Sequence, residues 1–178
     1  RAASNFGAVE KLDIKPSAST EFTGYSSLQD SGKVIGIFSK ENEKLDSVPE
    51  DEEVLLLLDK SPFYGESGGQ IGDHGSLKNA NASFEVVDTQ KQGDAHIHRG
   101  FLKRGTLAMS DEVSAEVAED DRHAVTLNHS ATHLMHSALR NVLGAHVAQK
   151  GSLVAADRLR FDFSHSSPLT EKELRSIE

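Results

Sequence analysis

The sequence predicts an α+β fold: a small antiparallel β-barrel, then a shorter unit of one long helix, two strands and the start of another helix. Three observations carry this expectation. Short β-like runs separated by Gly, Asp and Asn fill residues 21–118, a helical period begins after Asp120-Asp121, and strand-like runs return from Gly151. Residues 1–20 have no clear periodicity and hold Pro16 within a Ser/Ala stretch, so they read as a linker or the tail of a preceding domain. The barrel strands are expected at Lys33–Phe38, Glu53–Leu58, Ala82–Val87 and Glu112–Val117, the last alternating cleanly. Between them, Glu50-Asp51-Glu52-Glu53 reads as a solvated turn.

Residues 119–178 form the second unit. Asp120 and Asp121 suit a helix N-terminus, where carboxylates complement the macrodipole, and Gly144 is placed to end the helix. At about 100° per residue, Leu127, Ala131, Leu134, Ala138 and Val142 share a sector of roughly 80°, which predicts the buried stripe. Gly151–Val154 and Arg158–Phe163 read as strands, with Leu159, Phe161 and Phe163 on one face and Arg160 and Asp162 on the other. Thr170 stands three residues before Glu173, the spacing of a capping box that opens a further helix.

Composition bounds the function. With 178 residues the chain is one domain or two small ones, and 37% hydrophobic residues suffice for a core. The absence of cysteine excludes a disulfide scaffold and any thiolate metal site built from this chain alone. A net charge of −9 argues against a uniformly basic nucleic-acid binder. The charge is uneven, however: Arg122 to His165 holds five Lys/Arg against two Asp/Glu, with six of the nine His. The longest apolar run, Val54–Leu58, is far too short to span a membrane. The opening Arg1-Ala2-Ala3-Ser4 has neither an initiator Met nor the apolar core of a signal peptide, so the chain is expected to be cut from something larger.

Two segments are dense in chemistry. On the helical wheel His129, His133, His136 and Arg140 share a sector of roughly 60°, opposite the apolar stripe. Imidazoles at i and i+4 can reach one metal ion, although a solvated polar face has the same pattern. Ser130 stands where a zincin would carry its glutamate base, so this is not that motif. The second segment, Pro62 to Gly75, has five glycines in the eleven residues from Gly65, which suits either a hairpin with positive-φ turns or a backbone cradle for a phosphate or ribose. Gln149-Lys150-Gly151-Ser152 follows the helix closely, and Lys150, Arg158 and Arg160 are candidate phosphate contacts or ordinary exposed cations. His96 and His98 point to one face of a probable strand, where they are expected to decorate a polar surface.

Together, Ser61-Pro-Phe-Tyr-Gly-Glu-Ser-Gly-Gly-Gln-Ile-Gly-Asp73, Leu127-Asn-His-Ser-Ala-Thr-His-Leu-Met-His-Ser-Ala-Leu139, Gln149–Val154 and Leu159–His165 resemble the bacterial alanyl-tRNA synthetases, in the region that follows aminoacylation and tRNA recognition. The opening Arg-Ala-Ala-Ser-Asn-Phe-Gly is similar too, so the resemblance spans nearly the whole chain. It implies a β-barrel followed by a truncated editing domain, of the type common to threonyl- and alanyl-tRNA synthetases. Such a domain hydrolyses Ser or Gly wrongly esterified to tRNA(Ala). The family's zinc site takes two helix ligands, matching His129 and His133, and two from a later Cys-x-x-x-His segment absent here. Thr132 and Gln149 match editing-pocket positions. The resemblance further implies the tRNA(Ala) acceptor end and the parent's other domains as partners, and a cytoplasmic location. A tRNA-docking barrel without catalysis is the competing expectation. A free-standing editing protein is disfavoured by the opening segment, and nothing here resembles the site that activates alanine with ATP.

Overall fold

The computed structural model describes residues 19–178, so the linker expected over residues 1–20 lies outside the described residues except for its last two positions. The alternation in β8 (Glu112–Val117) turns Val113, Ala115 and Val117 into the core and leaves Glu112 and Glu116 in solvent. β2 (Gln29–Ser39), β5 (Gly75–Lys78) and β6 (Ala82–Gln92) alternate in part, whereas β3 (Glu53–Leu58) and the first half of β7 (Ala95–Gly105) are buried nearly throughout. These six strands close an antiparallel barrel in the order β2-β3-β7-β6-β5-β8, with β8 pairing back onto β2. Closure leaves no unpaired strand edge. A short parallel pair, β1 (Glu21–Phe22) with β4 (Lys60–Ser61), lies outside it.

β3 explains the longest apolar run. Val54, Leu56 and Leu58 join the main core with Phe63, Phe84 and Leu102. Leu55 and Leu57 pack on the opposite face against Ala95 and Ile97, a second, smaller core with Ile35 and Phe38 at its rim. A strand buried on both faces has no polar alternation to show.

β7 corrects one expectation. His96 and His98 do share a face, but it is an interior one: they are 5% and 0% exposed. His98 Nδ1–H donates to the Leu56 carbonyl at 3.1 Å, and Nε2 pairs with Ser61 Oγ at 2.7 Å. His96 Nδ1–H donates to the Phe63 carbonyl at 2.8 Å. His98 is thereby satisfied at both nitrogens and His96 at Nδ1, in a dry environment, so neither decorates a polar surface.

α1 (Glu119–Leu143) begins with three acids and has no side-chain cap at Ala118. Its start is held instead by Arg122, whose guanidinium donates to both Asp73 carboxylate oxygens, to the Gly24 carbonyl at 3.0 Å and to the Pro62 carbonyl at 3.0 Å. Gly144, at φ +115°, ends the helix as expected. β9 (Gln149–Val154) and β10 (Leu159–Phe163) form an antiparallel hairpin, and α2 (Glu171–Ile177) starts with the capping box of Thr170 and Glu173. Among the described residues no helix is long and apolar enough to cross a membrane.

The buried stripe of α1 also differs from expectation. Val125, Thr132 and Leu139 are buried, whereas Leu127 and Leu134 are 58% and 72% exposed. The hairpin decides the face. Asn128 donates to the Ala155 carbonyl at 2.7 Å, and the His136 ring packs on Phe161 at 4.9 Å, which rotates the helix so that a partly polar face meets β9 and β10.

Candidate functional site

The Gly-rich segment is the joint between barrel and helix. Gly68 and Gly69 both have positive φ, +61° and +88°, and Ser67 and Gln70 exchange backbone hydrogen bonds across them. This is a two-residue turn of the type only glycine enters freely, so the segment takes the hairpin alternative. A Cβ on Gly69 would sit 2.6 Å from the Ser152 carbonyl oxygen. That close approach lets Gly69 accept from Val154 N–H at 2.7 Å and Ile71 N–H donate to the Val154 carbonyl at 3.1 Å, tying the turn to β9. On its other side Glu66 N–H donates to Thr89 of β6 at 2.8 Å.

The turn places Gln70 against α1. Its carboxamide oxygen accepts from His129 Nδ1–H at 2.7 Å, and His129 Nε2 faces His133 Nε2 at 3.1 Å, with ring centroids 5.0 Å apart. A proton fixed on Nδ1 leaves the Nε2 lone pair bare and directed at its neighbour. Metal-binding histidines are set in this way, by a carbonyl partner on the far ring nitrogen. His133 is exposed and His129 half-buried, so the pair opens to solvent. The donor set therefore fits two positions of an imidazole-bound metal ion. Among the described residues no group of three or more His, Cys, Asp or Glu side chains converges to complete it.

Thr132 lies between them in sequence and is 8% exposed. Its hydroxyl donates to the Asn128 carbonyl at 2.8 Å, so its proton is committed to its own helix while its lone pairs stay available. Gln149 pairs with Phe163 at the end of the hairpin away from Val154, roughly 16 Å along the strand at about 3.3 Å per residue. The structure thus leaves Gln149 exposed at the far end of the hairpin and does not bring it against His129. His136 leaves the histidine row: it turns onto Phe161, and its Nε2 is buried without a partner. Lys150 is exposed, Arg158 pairs with Asp157 at 2.8 Å, and Arg160 pairs with Asp162 at 3.1 Å.

Sequence reasoning missed Gln70, Asp73, Arg122 and Asn128. The first two stand inside the Gly-rich segment already singled out, but their partners are 49 to 59 positions away.

Residues 2–121, more than half of the chain, match the family described as tRNA synthetases class II (A). Over all 178 residues the chain is 49% identical to an alanine–tRNA ligase of Pseudomonas fluorescens, covering 20% of that protein. It thus spans about a fifth of the length of the curated relative it matches. The chain belongs to the class II (A) tRNA synthetases, as a segment of the bacterial alanyl-tRNA synthetase kind.

Proposed function

We propose that this segment serves a cytoplasmic enzyme that attaches alanine to tRNA(Ala) with ATP, and that it removes Ser or Gly wrongly esterified there. The observation that carries the reading is the convergence of His129 and His133 beside Gln70. Editing is needed because a pocket built for Ala excludes Gly by only about 1–3 kcal/mol, the worth of one methyl. An aminoacyl ester is already activated, so hydrolysis requires a positioned water and stabilisation of the developing oxyanion. His129 and His133 would hold zinc, which when bound polarises water or a substrate oxygen. Gln70 keeps the His129 lone pair on Nε2. Thr132, its own proton engaged, accepts a hydrogen bond from the Ser hydroxyl or the amino group. Gln149, at the far end of the hairpin, would hold the aminoacylated acceptor end that lies along it, away from the reacting ester. Lys150, Arg158 and Arg160 line its phosphates, and the parent's remaining domains deliver the tRNA.

Deacylation of Ser-tRNA(Ala) by a full-length alanyl-tRNA synthetase bearing this segment is the test. Replacing His129 and His133 together by Ala should slow it by about 100-fold or more while alanine attachment is unchanged. Equal deacylation rates would remove the histidine pair from the reaction and favour a barrel that only docks tRNA.

A further inference from the structure

The chain contains a second imidazole pair with almost the geometry of the first. His146 Nε2 lies 2.9 Å from His165 Nδ1, the ring centroids are 5.1 Å apart and the ring planes are within 23° of parallel. The corresponding values for His129 and His133 are 3.1 Å, 5.0 Å and 31°. The first pair comes from helical spacing, but the second is built across the mouth of the hairpin, between the loop after α1 and the residue two beyond β10. Ser164 N–H donates to the Ala148 carbonyl at 3.0 Å and Ala148 N–H to Ser164 Oγ at 3.2 Å, so the ladder continues past the strands and fixes both histidines. Gly144 clears the space: a Cβ there would lie 3.1 Å from His146 Nδ1.

We propose that His146 and His165 form a second divalent-metal site, for a late first-row ion that accepts ligands at right angles, such as Ni(II) or Cu(II). Two nitrogens each about 2.1 Å from one ion stand roughly 3.0 Å apart at a right angle and roughly 3.3 Å apart at the tetrahedral angle. The 2.9 Å separation is nearest the first, and because the two nitrogens face each other nearly head-on, both rings turn to aim their lone pairs at one ion. On binding, the proton shared between the facing nitrogens is released to solvent or moves to a far ring nitrogen, and both lone pairs turn to the ion. The nearby carboxylate of Glu173 engages one oxygen, Oε2, in the capping box, accepting from Thr170 N–H and Oγ at 2.7 Å each, and water or the other oxygen fills the remaining positions. The ion would close the hairpin mouth where Gln149 pairs with Phe163 and Lys150 bulges out of register. The site stands independently of the proposed editing reaction; only that consequence for Gln149 rests on it.

Titration of the whole ¹⁵N-labelled chain with Ni(II) tests this, because the paramagnetic ion erases amide signals near where it binds. Signals of Ala148 and Ser164 should vanish below one equivalent. In His146→Ala or His165→Gln they should need at least about tenfold more Ni(II), since one imidazole loses the effective concentration of its partner. Unshifted barrel amides certify folding of each variant, and two positions are used so that one folded variant suffices. The doubly substituted His129→Ala/His133→Ala chain should lose Ala148 and Ser164 as readily as the parent. Survival of these signals in the parent, or equal Ni(II) sensitivity in the folded variants, would overturn the site.

Discussion

Arg122→Ala is expected to lower the unfolding free energy by about 3–5 kcal/mol, the range for breaking a buried ion pair from one side. The Arg122 and Asp73 side chains are 14% and 5% exposed, so water does little to screen them. Among the described residues, removing the guanidinium leaves the Asp73 carboxylate with only the Tyr64 N–H donor, at 2.7 Å. It also deprives the Gly24 and Pro62 carbonyls of the same donor group. One side chain therefore ties the loop after β1, the segment after β4 and the Gly-rich turn to the first turn of α1. Arg122→Lys should recover only a fraction, because an ammonium cannot span both carboxylate oxygens and two carbonyls at once. Urea unfolding read at tryptophan-free wavelengths, by far-ultraviolet dichroism, gives the number. Arg175→Ala, which breaks an exposed pair with Glu171, is the control and should leave the midpoint unchanged.

The second large effect is acid destabilisation through His98. Burial pushes its pKa down to about 4 against an ordinary value of 6.5, despite the support of the Leu56 carbonyl. The unfolded chain then binds a proton that the folded chain refuses between these two values. Stability is complete above pH 6.5, declines as the pH falls through that window and levels off near pH 4. At about 1.4 kcal/mol per pKa unit the loss amounts to about 3 kcal/mol. His96 is shifted the same way, burial being the main cause, and adds to the slope. Urea midpoints at pH 7 and pH 4.5 should therefore differ widely in the parent. In His98→Gln, which keeps a donor for Leu56 and an acceptor for Ser61, the difference should shrink. An unchanged pH dependence in that variant would place the titrating groups elsewhere.

What the sequence shows of this molecule follows the range of the forces involved. Local signals were legible: the alternation of β8, the acids and Gly144 that bound α1, and the reciprocal cap of Thr170 and Glu173. The barrel core was legible wherever one face was polar. The stripe of α1 was not, because helical periodicity counts apolar residues, whereas the helix is oriented by polar groups with distant partners, Arg122 on Asp73 and Asn128 on Ala155. Leu127 and Leu134 lose that contest and stay exposed. His96 and His98 were misplaced for the same reason: the carbonyls of Phe63 and Leu56 that make burial tolerable lie 33 and 42 positions away. The histidine spacing on α1 was visible, but nothing local announced that Gln70, 59 residues upstream, would set one of its rings.

The tautomer of His129 reads most directly whether the Gly-rich turn of the barrel arms the histidine pair. Long-range ¹H–¹⁵N correlation at neutral pH distinguishes the two ring nitrogens. The hydrogen bond to Gln70 predicts a protonated Nδ1 and a bare Nε2 on His129, lost or mixed in Gln70→Leu. A proton on Nε2 of His129 in the parent chain would contradict the arrangement, because that nitrogen would then have no lone pair to offer beside His133.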